Sequence, residues 1–117
     1  MVTNLGRFLR KIRIDKDEIL KDMADHFGVT ASYLSAVENG IRPMPERWKP
    51  IIIDKYQLNK EQQNELQKLI IESTDTVHIN LANADYQNKE LALAFARKAT
   101  DLSDEMVKNI QKLLGGE

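Results

Sequence analysis

The side chains that most often do chemistry are thinly spread in this chain. His26 and His78 stand alone, with no cysteine and no second histidine at ligand spacing, so no metal site is expected. Asp15, Asp17 and Glu18 cluster three carboxylates, but the glycine and closing glutamate of a calcium loop are missing. A role at a helix start is the better reading. No Ser/His/Asp set, phosphate-cradling glycine loop or tuned acid pair can be assembled, so no catalytic residue, enzyme activity or cofactor is expected. What remains is a different kind of chemistry, that of close approach. Between Leu20 and Val37 the residue types are restricted beyond what amphipathicity requires. Ala24 is small and Gly28 follows four later, as two helices meeting near a right angle through a short turn require. Met23, Phe27, Val29, Leu34 and Val37 would lock those helices together. Ala31, Ser32, Ser35 and Ala36 are then left facing outward, small enough to sit against a base-pair edge.

The elements that must position this face follow from apolar spacing. Leu5, Phe8, Leu9 and Ile12 recur at helical period, with Arg7, Arg10, Lys11 and Arg13 between them. These basic side chains form either a solvated face or a set of phosphate contacts. A second helix is expected from about Ile19 to His26. Thr30 offers an N-cap for a third, which ends at Glu38-Asn39-Gly40 before Arg42-Pro43-Met44-Pro45. A fourth carries Trp48, Ile51, Ile52 and Tyr56, with Pro50 in its first turn or kinking it. The i, i+4 spacing of Trp48, Ile52 and Tyr56 marks them as core. Asn59 and Gln62 form a capping-box pattern for a fifth, with Leu66, Leu69 and Ile70 inward and an end near Ser73.

Val77, Ile79 and Leu81 then alternate with Thr76, His78 and Asn80, the period of a strand. A lone strand cannot satisfy its ladder, so this segment is either an extended linker or pairs with a twofold copy of itself. Helical period returns near Asp85 with Leu91, Leu93, Ala94, Phe95 and Ala99. Ser103 caps a last helix bearing Met106, Val107, Ile110, Leu113 and Leu114. The fold class is all-α. Residues 1–72 form the first domain, 73–84 an extended connector or short strand, and 85–117 a helical dimerisation or partner-binding region.

Composition sets the outer bounds. The 117 residues suit one domain with an appendage, and 17 Lys+Arg against 18 Asp+Glu give a net charge of −1, so this is no polybasic tail. The first sixteen residues nevertheless set Arg7, Arg10, Lys11, Arg13 and Lys16 against Asp15 alone. With no cysteine, a disulfide framework and a cysteine nucleophile are excluded, and a reducing cytoplasm fits. Neither a membrane span nor the apolar core of a signal peptide is expected.

From the first helix to about Leu58 the chain resembles the helix-turn-helix domain of the Cro and lambda-repressor family, also called the XRE family. The resemblance rests on Ala24, Gly28-Val29, Leu34, Val37 and Glu38-Asn39-Gly40. It implies a five-helix DNA-binding domain with the third helix in the major groove and the second bridging the backbone. Carried over by position, Ala31, Ser32, Ser35 and Ala36 read bases, while Thr30, Tyr33, Asn39 and Arg42 hold phosphates, joined by Arg7, Arg10 and Lys11. The family usually has Gln at the start of the second helix, where this chain has Leu20. The implied function is a sequence-specific transcriptional regulator, a dimeric autorepressor of a phage, prophage or mobile-element operon on a palindromic operator. Dimerisation is assigned to Val77, Ile79, Leu81, Leu91, Phe95, Met106, Ile110 and Leu113. The alternative is an antitoxin or adaptor whose C-terminal region binds a neighbour-encoded protein.

Overall fold

A computed structural model describes residues 1–115 of the chain, and the described residues are helical with no strand. The helices are α1 (Asn4–Asp15), α2 (Leu20–Phe27), α3 (Ala31–Glu38), α4 (Trp48–Lys55), α5 (Lys60–Ser73), α6 (Tyr86–Lys98) and α7 (Asp104–Leu113). Contacts divide the chain into two compact units, Met1–Val77 and the residues from His78 onward. No helix among the described residues is long and apolar enough to cross a membrane.

Five of the helices, α1, α3, α5, α6 and α7, start where a side chain supplies an acceptor that their first N–H groups lack. The Thr3 hydroxyl accepts from Gly6 N at 3.0 Å, Thr30 from Tyr33 N at 3.1 Å and Asn59 from Gln62 N at 2.8 Å. The reciprocal bond from Asn59 N to Gln62 Oε1 completes the expected capping box. Asp85 and Ser103 cap α6 and α7 in the same way. For α2 the structure corrects the sequence reading. Its starting carboxylate is Asp22, which accepts from Ile19 N at 2.9 Å, and not the Asp15, Asp17 and Glu18 cluster. Asp17 lies in the turn at φ 57 and Glu18 is engaged elsewhere. Pro50 falls in the first turn of α4, where its missing donor costs nothing.

In the first unit, α1 through α5 surround one core. Trp48, Phe27, Leu9, Met23, Leu34, Ile52 and Leu66 are fully buried, and Phe27 and Trp48 stack at 4.2 Å with their planes 9° apart. Tyr56 joins them at the end of α4, so the expected Trp48, Ile52 and Tyr56 stripe is buried throughout. Leu69 and Ile70 of α5 are half-buried against this core. In the second unit neither α6 nor α7 buries a residue fully. Between α5 and α6 the chain from Thr74 to Leu81 is neither helix, strand nor turn.

Candidate nucleic-acid interface

The α2 to α3 turn is made at Gly28, which takes φ 68, a left-handed conformation that glycine adopts without a Cβ penalty. Val29 N then bonds to Ala24 O at 3.1 Å and closes the end of α2. From this turn α3 emerges with one side held. Leu34, Val37 and Glu38 are at most 2% exposed, whereas Ser32 is exposed and Ala31, Ser35 and Ala36 are half-buried. The four small residues therefore share the outer side of one short helix, and no charged side chain stands among them.

What fixes α3 against α1 is an ion pair that sequence reasoning missed. Glu38 is 1% exposed, and its carboxylate accepts from Arg13 Nη1 at 2.6 Å and from Arg10 Nε at 3.1 Å. Arg13 is itself buried. It is neither part of a solvated face nor a phosphate ligand, because its charge is consumed inside the first unit. Around the same point Thr3 donates both its N–H and its hydroxyl to Glu38 O, at 3.0 and 3.1 Å. Gly6 lies so close that a Cβ there would stand 2.2 Å from that oxygen. The first turn of α1 and the last turn of α3 are thus in backbone contact. A signal for this was present in the sequence: a carboxylate in the last turn of a helix opposes the macrodipole and needs nearby cations to stay.

The remaining basic residues divide. Arg10 keeps a 45% exposed side chain beside the end of α3, with only its Nε engaged. Arg42 lies with its guanidinium 5.1 Å from the centre of the Tyr33 ring, whose other neighbour is Trp48 at 6.0 Å. Arg42 is thereby ordered beside α3. Thr30 accepts the capping bond and retains a hydroxyl proton to donate. Asn39 turns back on its own helix, donating through Nδ2 to Ser35 O at 2.8 Å. Arg7 and Lys11 lie further round α1, by roughly 60° and 100° from Arg10 at 3.6 residues per turn. They line a depression of about 550 Å³ against α5, which also holds Asp15, Glu61 and Glu65. The structure thus places Arg10 at the end of α3 and Thr30, Tyr33, Asn39 and Arg42 on or beside that helix, and leaves Arg7 and Lys11 beside acidic side chains.

Two further devices steady the helix pair. Arg47 donates to Phe27 O at 2.7 Å, tying the loop before α4 to the end of α2. Glu18 accepts from the Tyr56 hydroxyl and lies 2.8 Å from His26 Nε2, joining the start of α2 to its own last turn and to the end of α4. Burial works against the Glu18 carboxylate, but the bonds from Tyr56 and His26 and the charges of His26 and Arg13 hold its pKa below the ordinary value. Burial, and then the Glu18 carboxylate, push the Tyr56 phenol well above its own. Leu20, where the resembled family has Gln, is half-buried and packs against the core. Its apolar side chain offers no hydrogen bond.

Of the residues assigned to dimerisation, Val77, Ile79, Leu91, Phe95, Met106 and Leu113 are between 42% and 86% exposed. Leu81 and Ile110 are half-buried. No group of three or more His, Cys, Asp and Glu side chains able to hold a metal ion occurs among the described residues. Comparison of the chain with protein-family models, with curated proteins and with solved structures finds no match.

Proposed function

We propose that the chain is a sequence-specific DNA-binding regulator of the Cro and lambda-repressor type, acting as a dimer. The observation that carries this reading is the form of α3. It is held on one side by Leu34, Val37 and the Glu38 ion pair, and presents a neutral small-residue surface on the other, with Arg10 and Arg42 beside it. In this reading α1 to α5 form the family's five-helix domain and α3 enters the major groove. Ser32 and Ser35 exchange hydrogen bonds with base edges, while Ala31 and Ala36 meet thymine methyl groups. Thr30, Tyr33, Asn39, Arg10 and Arg42 hold phosphates and set the register, with Arg7 and Lys11 at the margin. None of the base-reading residues makes a bidentate contact, so DNA shape and deformability carry a large share of the discrimination.

Residues 76 to 114 build the dimer, which places two copies of α3 on half-sites about 34 Å apart in a palindromic operator. The exposed apolar side chains from Val77 to Leu114 are in keeping with this. The regulated promoter is that of the chain's own operon.

The test is a titration of the protein onto the duplex upstream of its own start codon and onto a shuffled duplex, at low and near-physiological salt. A preference of roughly a thousandfold or more that survives the higher salt supports a specific regulator. Weak binding, equal on both duplexes and erased by salt, sinks it. That result favours the second reading, an antitoxin or adaptor whose uncovered α6 and α7 faces bind another protein.

A further inference from the structure

The segment between α5 and α6 has the alternating apolar pattern of a strand and leaves its main-chain donors without a neighbour. From Thr74 to Leu81 every residue but Leu81 is exposed. Among the described residues, none of the N–H groups from Asp75 to Leu81 reaches a main-chain acceptor. Val77 and Ile79 are 75% and 62% exposed. In extended backbone they lie with Leu81 on one face, and Thr76, His78 and Asn80 lie on the other. Unpaired main-chain groups beside an apolar face make an edge onto which a second strand adds.

We infer that this second strand is the same segment of another copy, paired antiparallel about Ile79. The inference rests on the dimeric reading above and names the contact through which the two copies join. The segment is self-complementary in one register. With Ile79 on the twofold axis, Val77 opposes the partner's Leu81 and Ile79 opposes the partner's Ile79, so one face of the ribbon is wholly apolar. On the other face His78 opposes the partner's Asn80 and Thr76 opposes the partner's Ala82. Asp75, the charged residue of the segment, meets the partner's Asn83, so no like charges are paired. A slip of one residue sets apolar side chains against polar ones on both faces. Centring on His78 puts that histidine opposite its own copy and Leu81 opposite the partner's Asp75. Centring on Asn80 sets Val77 against the partner's Asn83. A two-stranded ribbon is marginal by itself, and the exposed Leu91, Phe95, Met106 and Leu113 of α6 and α7 supply the apolar layer it needs.

The chain has no cysteine, so each single substitution introduces one thiol per copy. Facing residues of an antiparallel pair have Cα atoms about 4.5–5.5 Å apart, within disulfide reach. In this register two copies of residue 77 are offset by four residues, about 13 Å, and cannot bridge. Full-length Ile79→Cys, oxidised at low micromolar concentration, is expected to form a covalent dimer at least about tenfold faster than Val77→Cys or His78→Cys. Ile79→Pro, which fixes φ near −65° and places a proline ring at the centre of the paired strand, is expected to weaken the dimer at least about tenfold in sedimentation equilibrium. A monomeric unmodified chain at tens of micromolar overturns the dimer and the ribbon together. A dimeric chain in which Ile79→Cys cross-links no faster than Val77→Cys overturns the ribbon and leaves a dimer built by the helices. Fastest cross-linking through His78→Cys overturns the register.

Discussion

Glu38 occupies a position where a carboxylate is disfavoured twice, by burial and by the negative end of α3, and two arginines keep it there. Its removal leaves Arg13 buried without a counter-charge. Glu38→Ala is therefore expected to cost about 3–5 kcal/mol in urea unfolding, and a loss below ~1 kcal/mol would show that the pair contributes little. The glycines offer a sharper contrast. An alanine inside a helix ordinarily gains about 1 kcal/mol over glycine, yet at Gly6 the new methyl meets Glu38 O at 2.2 Å, a backbone atom that cannot step aside. At Gly28 there is open space and only the cost of φ 68. Gly6→Ala should lower the melting temperature well below that of Gly28→Ala, the reverse of their helix propensities. Glu18 carries the pH dependence. Its folded pKa lies below the ordinary 4.5, so its contribution is present above that value and is lost as the pH falls through the folded pKa. The stability gap between the wild type and Glu18→Gln should be full near pH 6 and shrink below about pH 4.5. A gap that widens in acid would reverse the assigned sign.

At the scale of elements, α3 is the one whose proposed function can be isolated from its stability. Ser32 is exposed and its side chain makes no hydrogen bond among the described residues, so Ser32→Glu should leave the melting temperature within a few degrees and the dimer intact. If α3 enters the groove, the added carboxylate faces the phosphates and specific operator binding is lost. Unchanged affinity in a folded dimer would mean that another face reads the DNA. Placing α3 needed little beyond the sequence, because its limits are set locally: a threonine cap, a glycine before it and Asn39-Gly40 after it. The Asn59 and Gln62 capping box and the Trp48, Ile52 and Tyr56 stripe were legible for the same reason. What was hidden depends on contacts between segments far apart in the chain. Arg13 has the same spacing and charge as the neighbouring Arg10, and only the position of Glu38, twenty-five residues on, makes one buried and leaves the other half exposed. Arg7 and Lys11 belonged on paper to the same basic face, but their positions round α1, roughly 60° and 100° from Arg10, set them beside the acidic side chains of α5.

For the whole molecule, stability and affinity are expected to reside in different halves. Every fully buried side chain among the described residues precedes Val77, while α6 and α7 bury none. Isolated helices of 13 and 10 residues without a covered face are marginal in water. A chain ending at Val77 should therefore unfold in one cooperative step, with a melting temperature within a few degrees of the full chain. Its DNA binding should behave differently. If α3 reads DNA as proposed, one copy meets only a few base pairs, and a second copy held nearby adds its contacts at an effective concentration that a tether can raise to roughly millimolar. If the residues beyond Val77 join the copies, as proposed, removing them deletes this gain without touching α3. Affinity of the shortened chain for a two-half-site duplex is expected to fall by about a hundredfold or more, with its affinity for a single half-site unchanged, as read by titration on both duplexes. Equal losses on the two would place a DNA contact beyond Val77. No loss on either would mean that the copies join through the first unit, and that α6 and α7 present their apolar faces to something other than a second copy.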